Sequence, residues 1–141
     1  MSYTDDLKPK PLDRKALNAL IPKMPFNHLL GLRVSRVHAD GITLELEVTA
    51  QLTNLLGTLH GGVTASIIDS AIGMAIIGQL GGRPATTVEL KLNYLRPASH
   101  GKIRARSKVV RIGKTLAVGT AEVRDAHGHL IAMGSATYLP L

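Results

Sequence analysis

From Leu32 onward the apolar positions of the chain settle into a period of two. The clearest stretch is Thr43-Leu44-Glu45-Leu46-Glu47-Val48, which alternates as a strand does when one face meets a core and the other meets solvent. Ala39-Asp40-Gly41 just before it predicts a hairpin turn from a preceding strand. Residues 87–94 alternate in the same way, and Pro97 and Gly101 mark the way out. Residues 102–112 and 115–124 predict two further strands joined by a tight Gly113-Lys114 turn. Asp125-Ala126-His127-Gly128 is a turn into a last strand over 129–139. One segment breaks the rhythm. The run 63–80 is too long and too Ala-rich for a strand, and predicts a helix closed by Gly81-Gly82 and Pro84. Its apolar residues cover nearly the whole circumference, as in a helix wrapped by other structure. Upstream, Asp13 predicts the cap of a short helix through Leu20, with Pro22 and Pro25 as its stop. Residues 1–11 read as a polar lead-in.

The sum is an α+β fold: one long central helix inserted into a curled antiparallel sheet of five to six strands, with a short N-terminal helix. The lead-in and short helix take residues 1–25, and a single domain takes 26–141.

Composition narrows the classes. With 141 residues the chain fits one domain. Aromatics are only 3% against 45% apolar residues, so the core must be built from Leu, Ile, Val and Ala. The absence of cysteine excludes disulfides, thiolate nucleophiles and cysteine-ligated metal sites. The N-terminus lacks the basic start and apolar run of a signal peptide, so a cytoplasmic location is expected. The run 61–82 is long enough to span a bilayer, but it carries Asp69, Ser66 and Ser70. A charge near mid-span is costly in lipid, so a buried helix and no membrane partner are expected. The net charge of +7 favours an anionic partner. Nucleic acid fits poorly, since the basic residues are scattered and there is little aromatic surface for bases to stack on.

Two features carry chemistry. Gly61 and Gly62 open the long helix, so their N–H groups are among the four without an intrahelical partner. With the helix dipole behind them they suit an anion, or a carbonyl oxygen that becomes one. A plain loop-to-helix turn explains the same residues equally well. Asp69 lies on a helix whose other residues are small or aliphatic. An isolated buried carboxylate costs several kcal/mol, so it needs either a reactive role or a wet interface to face. His60 is placed to brace the loop or polarise the glycine donor more than to act as a base. His127 and His129 flank Gly128, and with no third ligand nearby they predict a surface turn and no metal.

The spaced set Asn54-x5-His60-Gly61-Gly62-Val63-x5-Asp69 resembles the signature of the PaaI-like (phenylacetyl-CoA) thioesterase family. Residues 86–98, Gly101-Lys102-Ile103, Gly113-Lys114-Thr115-Leu116 and Asp125-x2-Gly128-x2-Ile131-Ala132-x-Gly134 are similar to its later strands and turns. The likeness covers roughly residues 26–139 by eye. It implies the hotdog fold of the acyl-CoA thioesterases and hydrolysis of a CoA thioester to a carboxylic acid and free CoA. On that resemblance Asp69 is the nucleophile or general base, the Gly61 N–H the oxyanion donor, Asn54 an aid to placing substrate or water, and Thr87 the hydroxyl that orients the water. Gly62, Arg83, Arg96, Arg111 and Lys114 are the candidates for binding substrate, the four cations by holding CoA phosphates. No cofactor is implied, coenzyme A being part of the substrate. The resemblance also implies a homo-oligomer, a dimer at least and a tetramer in expectation. Eight residues separate Gly61 from Asp69, about 12 Å of helix, too far to act on one carbonyl within one chain. The alternatives are a hotdog enoyl-CoA hydratase or dehydratase, whose paired His and acid pattern is not found here, and a non-catalytic acyl-CoA-binding module.

Overall fold

Asp13 stands at the N-cap of helix α1 (Arg14–Leu20), where its carboxylate accepts the Ala16 N–H at 2.8 Å. Pro22 and Pro25 do more than stop this helix. Each starts a new turn, Pro22 in a 3-10 turn (Ile21–Lys23) and Pro25 in helix α2 (Pro25–Leu29). The reason is local: a proline in the first turn loses only an N–H that had no partner anyway. The computed structural model describes residues 8–141, so most of the polar lead-in expected over 1–11 lies outside the described residues.

The rest follows the alternation. Strands β1 (Arg33–His38), β2 (Gly41–Glu47), β3 (Ala85–Tyr94), β4 (Lys102–Ile112), β5 (Ala117–Arg124) and β6 (Leu130–Pro140) form one antiparallel sheet in the order β1-β2-β4-β5-β6-β3. The β4–β5 connection is longer than the two-residue turn its Gly113-Lys114 suggests. It runs to residue 116, closed by the Gly113 N–H on the Leu116 carbonyl at 2.8 Å. Helix α3 (Gly61–Gln79) enters after β2 and lies along the concave face of the sheet. It begins two residues earlier than the apolar pattern alone indicates, because the glycine pair is already helical. It ends where Gly81 and Gly82 take positive φ (68° and 96°), and their N–H groups return to the last carbonyls of the helix.

The core forms where α3 meets the sheet. Ile67, Ile68, Ala71, Ile72, Met74 and Ile76 are buried against Leu44, Leu46, Ile103, Ala105, Ala121 and Val123. β5 offers Ala117, Gly119, Ala121 and Val123 inward, and any Cβ at Gly119 would stand 2.7 Å from the Ile72 side chain. Small residues on the strand thus make room for branched ones on the helix. Leu17 of α1 packs on Gly78 and joins the same core. In length and hydropathy α3 would suit a membrane span, but its apolar surface is spent on the sheet.

In β2 the burial departs from the alternation of the sequence. Glu45, expected on the solvent face of β2, is only 4% exposed. Arg33, Lys102 and Arg104 from the flanking strands close over its carboxylate.

Candidate active site

The site is built at the two ends of one helical segment. At the α3 N-terminus, the loop 53–60 folds on the side chain of Asn54. Its carboxamide oxygen accepts the N–H groups of Leu56 (2.9 Å) and Thr58 (3.1 Å), and its nitrogen donates to the Thr58 hydroxyl (2.8 Å). Gly57 takes φ 76° within this loop, a conformation that favours glycine. The His60 N–H is then anchored on the Leu52 carbonyl at 2.8 Å. His60 is the N-cap of α3, and its Nδ1 accepts the Gly62 N–H at 2.8 Å. That ring nitrogen is therefore unprotonated and committed to the backbone. The cap satisfies Gly62 and leaves the neighbouring Gly61 N–H without an acceptor among the described residues. Tyr94, at the end of β3, donates its hydroxyl to the Gly61 carbonyl at 2.6 Å and walls the same corner. A cavity of about 530 Å³ opens there, lined by Asn54, Gly61, Gly62, Tyr94 and Arg96 with apolar groups such as Leu59 and Ile131.

Two helical turns on, Asp69 lies half-buried on the side of α3 that meets β3 and β6. Its Oδ1 accepts the Thr87 hydroxyl at 2.9 Å and the Tyr138 hydroxyl in a short hydrogen bond. Thr87 and Tyr138 face each other across β3 and β6. A β-bulge between Thr87 and Glu89 ends the regular register just there, a device that re-aims side chains beside functional sites. No described cation lies within ion-pair distance of Asp69, and no described group bonds its Oδ2. Burial, and after it the Asp69 carboxylate, push the Tyr138 phenol well above its ordinary value. The phenol is thus a proton donor throughout the range in which proteins work.

The structure brings Asn54, His60, Gly61, Gly62 and Arg96 together at the cavity, and Thr87 onto Asp69. It leaves Asp69 and Thr87 outside that cavity's lining in the single chain. Arg83 lies before β3, its Nε on the Leu141 carbonyl at 2.7 Å. Arg111 and Lys114 lie at the β4–β5 connection. All three are at the opposite end of the sheet from Gly61 within one chain. His127 and His129 sit exposed at the β5–β6 turn, and among the described residues no group of His, Cys, Asp or Glu is arranged to hold a metal. Tyr94, Tyr138 and Gly73 are not among the residues that the sequence pattern singles out. A cue was present: with so few aromatics, a tyrosine in a late strand stands out, as does a glycine in mid-helix four residues after a lone carboxylate.

The sequence model of the thioesterase superfamily matches residues 56–132. Acyl-coenzyme A thioesterase 13 of Homo sapiens is 34% identical over 127 residues, 88% of this chain and 91% of that protein. The medium/long-chain acyl-CoA thioesterase YigI of Escherichia coli K12 is 30% identical over 132 residues, covering 82% and 85%. Among solved structures, zebra fish thioesterase superfamily member 2 superposes with a TM-score of 0.82 at 31% identity, covering 91% of this chain and 99% of that one. The helix in its curled sheet, the matched residues and these likenesses agree: the chain belongs to the thioesterase superfamily and is a thioester hydrolase of hotdog fold.

Proposed function

We propose that the chain is a PaaI-like acyl-CoA thioesterase that works as a dimer at least, with Asp69 of one subunit facing Gly61 of the other. One observation carries the reading: Asp69 is a carboxylate held by hydroxyls alone, with one oxygen unspent, in a helix otherwise devoted to packing. A carboxylate in that state can attack a thioester carbonyl, or take the proton of a water that does so. As the new C–O bond forms, the carbonyl electrons move onto oxygen, where the Gly61 N–H and the helix dipole receive the charge. The C–S bond then breaks and coenzyme A leaves as the thiolate. Where Asp69 itself attacks, water then hydrolyses the mixed anhydride, freeing the carboxylic acid and restoring the carboxylate. Asn54 and His60 serve this step by fixing the loop that aims the Gly61 N–H. Thr87 orients the carboxylate or its water.

The shared site is supported by the sheet's edge. β3 pairs only with β6, and its outer edge carries exposed apolar groups, with Val88 and Tyr94 each 57% exposed. Ten residues of unpaired, partly apolar strand is a template for another chain. Antiparallel pairing of two β3 strands would set the Ala85 end of one beside the Tyr94 end of the other. That arrangement puts each Asp69 near the partner's cavity and brings Arg83, Arg111 and Lys114 toward the same mouth as Arg96, where CoA phosphates would lie. The apolar lining suits an aryl or medium-chain acyl group.

Thiol release from a panel of acyl- and aryl-CoAs tests this. Asp69→Asn and Asp69→Ala should each lose about three orders of magnitude or more in kcat on every substrate the parent cleaves. Parental rates in both variants would remove Asp69 from the mechanism. Sedimentation should give no monomer at assay concentration.

A further inference from the structure

Tyr138 reaches Asp69 through a gap that only glycine leaves open. Gly73 is one turn after Asp69 on the same side of α3, and it is buried. A Cβ built there would stand 2.4 Å from the Tyr138 hydroxyl oxygen and 2.6 Å from the ring carbon that bears it. Nothing in the backbone demands glycine at this position, since its φ is ordinary and it lies within the helix. Mid-helix glycine costs roughly 1 kcal/mol relative to alanine, so the slot has a cost that only what fills it can offset. What fills it is the hydroxyl-bearing end of the Tyr138 ring.

That hydroxyl has one proton and two acceptors in range. The Asp69 backbone carbonyl is 2.7 Å away and the Oδ1 is closer still. The carbonyl belongs to the helix ladder, where the N–H four residues on already serves it. An ionised carboxylate is also the stronger acceptor. The proton therefore goes to Oδ1, beside the one from Thr87. Two donors on one oxygen stop the carboxyl from rotating and leave Oδ2 as the oxygen that faces outward. Tyr138 itself is 5% exposed and sits behind the carboxylate, walled by Gly73, so it does not meet substrate.

We propose that Tyr138 is the positioning residue of the reaction: through its hydroxyl it locks Oδ1 of Asp69 and assigns the attack to Oδ2, and Gly73 exists to admit it. The inference rests on Asp69 being the attacking carboxylate. It divides the two hydroxyl donors by kind. Thr87 is exposed and bonds from the solvent side, while Tyr138 is buried and set by core packing on β6. A threonine hydroxyl that water can replace gives direction, whereas a phenol that water cannot reach gives permanence. It also explains why a chain with few aromatics keeps a tyrosine at the end of its last strand: phenylalanine would fill the same space but leave the carboxylate to turn.

The test uses the full chain and follows kcat and KM by thiol release beside thermal melting. Tyr138→Phe should lower kcat by about 10- to 100-fold, with KM within about twofold, since a hydrogen bond to a charged group is lost and no substrate contact is. Gly73→Ala should give a loss of the same kind with the tyrosine present, because the added carbon pushes the hydroxyl off Oδ1. Should the phenylalanine variant melt early, p-aminophenylalanine at position 138 separates fold from function. It keeps the ring and a donor, and should recover a large part of the rate that phenylalanine loses. Parental kcat in folded Tyr138→Phe, a change in KM alone, or equal rates with phenylalanine and p-aminophenylalanine would each overturn the proposal. Asp69→Asn is run alongside: if it retains activity the underlying reading of Asp69 has failed, whereas an inactive Asp69→Asn with a fully active Tyr138→Phe sinks the positioning role alone.

Discussion

Glu45 and Asp69 are both acidic side chains withdrawn from water among apolar neighbours, and they are handled in opposite ways. Glu45 lies under three cations: Arg33, Lys102 at 3.6 Å and Arg104 at 3.2 Å, drawn from β1 and β4 on either side of β2. Both of its oxygens are bonded. Asp69 has no described cation and receives only neutral hydroxyls, both on the same oxygen. The first carboxylate is neutralised and saturated, so it can do nothing but hold strands together. The second is left without a described counter-ion and with one free oxygen. Leaving a partly buried charge unpaired is costly, and a fold retains such a group where its reactivity is used. The structural and chemical carboxylates in this chain differ in their partners, and the reactive one is the less buried of the two.

The contrast is broken most forcefully by neutralising each group in turn. Asp69→Asn should lose activity by about three orders of magnitude while melting at the parental temperature or above it, since an uncompensated charge is removed. Glu45→Gln should do the reverse. Its turnover per folded molecule should stay within about twofold, and its stability should fall by about 1–3 kcal/mol as three cations lose their common partner. The lower end of that range reflects how much water the cations still see, with Arg33 54% and Arg104 50% exposed. Calorimetry beside a thiol-release assay reads both. A Glu45→Gln protein that melts normally but turns over slowly would erase the distinction.

Acid sharpens the same comparison. Burial pushes the Glu45 carboxyl up, but the Arg33 hydrogen bond and the charges of Arg33, Lys102 and Arg104 outweigh it and hold it below its ordinary 4.5. A carboxylate held low in the folded state stabilises it fully above about pH 4.5, and that contribution disappears as pH falls through the lowered value. Melting temperature should therefore drop below about pH 4.5 in the parent, and Glu45→Gln should flatten part of that drop. What remains belongs partly to Asp40, which its Arg106 hydrogen bond also holds low. An unchanged slope in Glu45→Gln would show that the three-cation cluster does not stabilise the fold.

The two carboxylates also differed in how far the sequence disclosed them. Asp69 was visible because its surroundings are monotonous: one charge in a nineteen-residue helix of small and aliphatic residues. Gly61, Asn54 and His60 were visible because loop glycines and a fixed spacing are local properties. Glu45 looked like an ordinary outward residue of an alternating strand, and its burial depends on side chains from β1 and β4. Tyr138 was hidden for the same reason: the contact spans 69 residues of chain, and no period or spacing records it. The six strands and central helix followed from alternation and length. What the pattern missed includes the conversion of Pro22 and Pro25 from stops into starts, although a proline in the first turn of a helix is itself a local signal. Local signals thus exposed the residues that break a pattern, and tertiary pairing concealed those that complete it.

The smallest expected effect tests how finely hydroxyls can stand in for cations. Thr87 donates one exposed bond to Asp69 at 2.9 Å, so Thr87→Val keeps the β-branched shape of the edge strand and removes only the donor. Water can reach this side and replace part of what is lost, so kcat should fall by only about three- to tenfold with little change in melting. Thr87→Ser keeps the donor and should restore most of the rate. Thr87→Lys offers the instructive opposite, since it would supply Asp69 with the kind of partner that Glu45 has. If a cation were merely a better donor, this variant would match or exceed the parent. If the unpaired charge is what reacts, it should be slower than Thr87→Val, and more slowed at low ionic strength, where the pair is least screened.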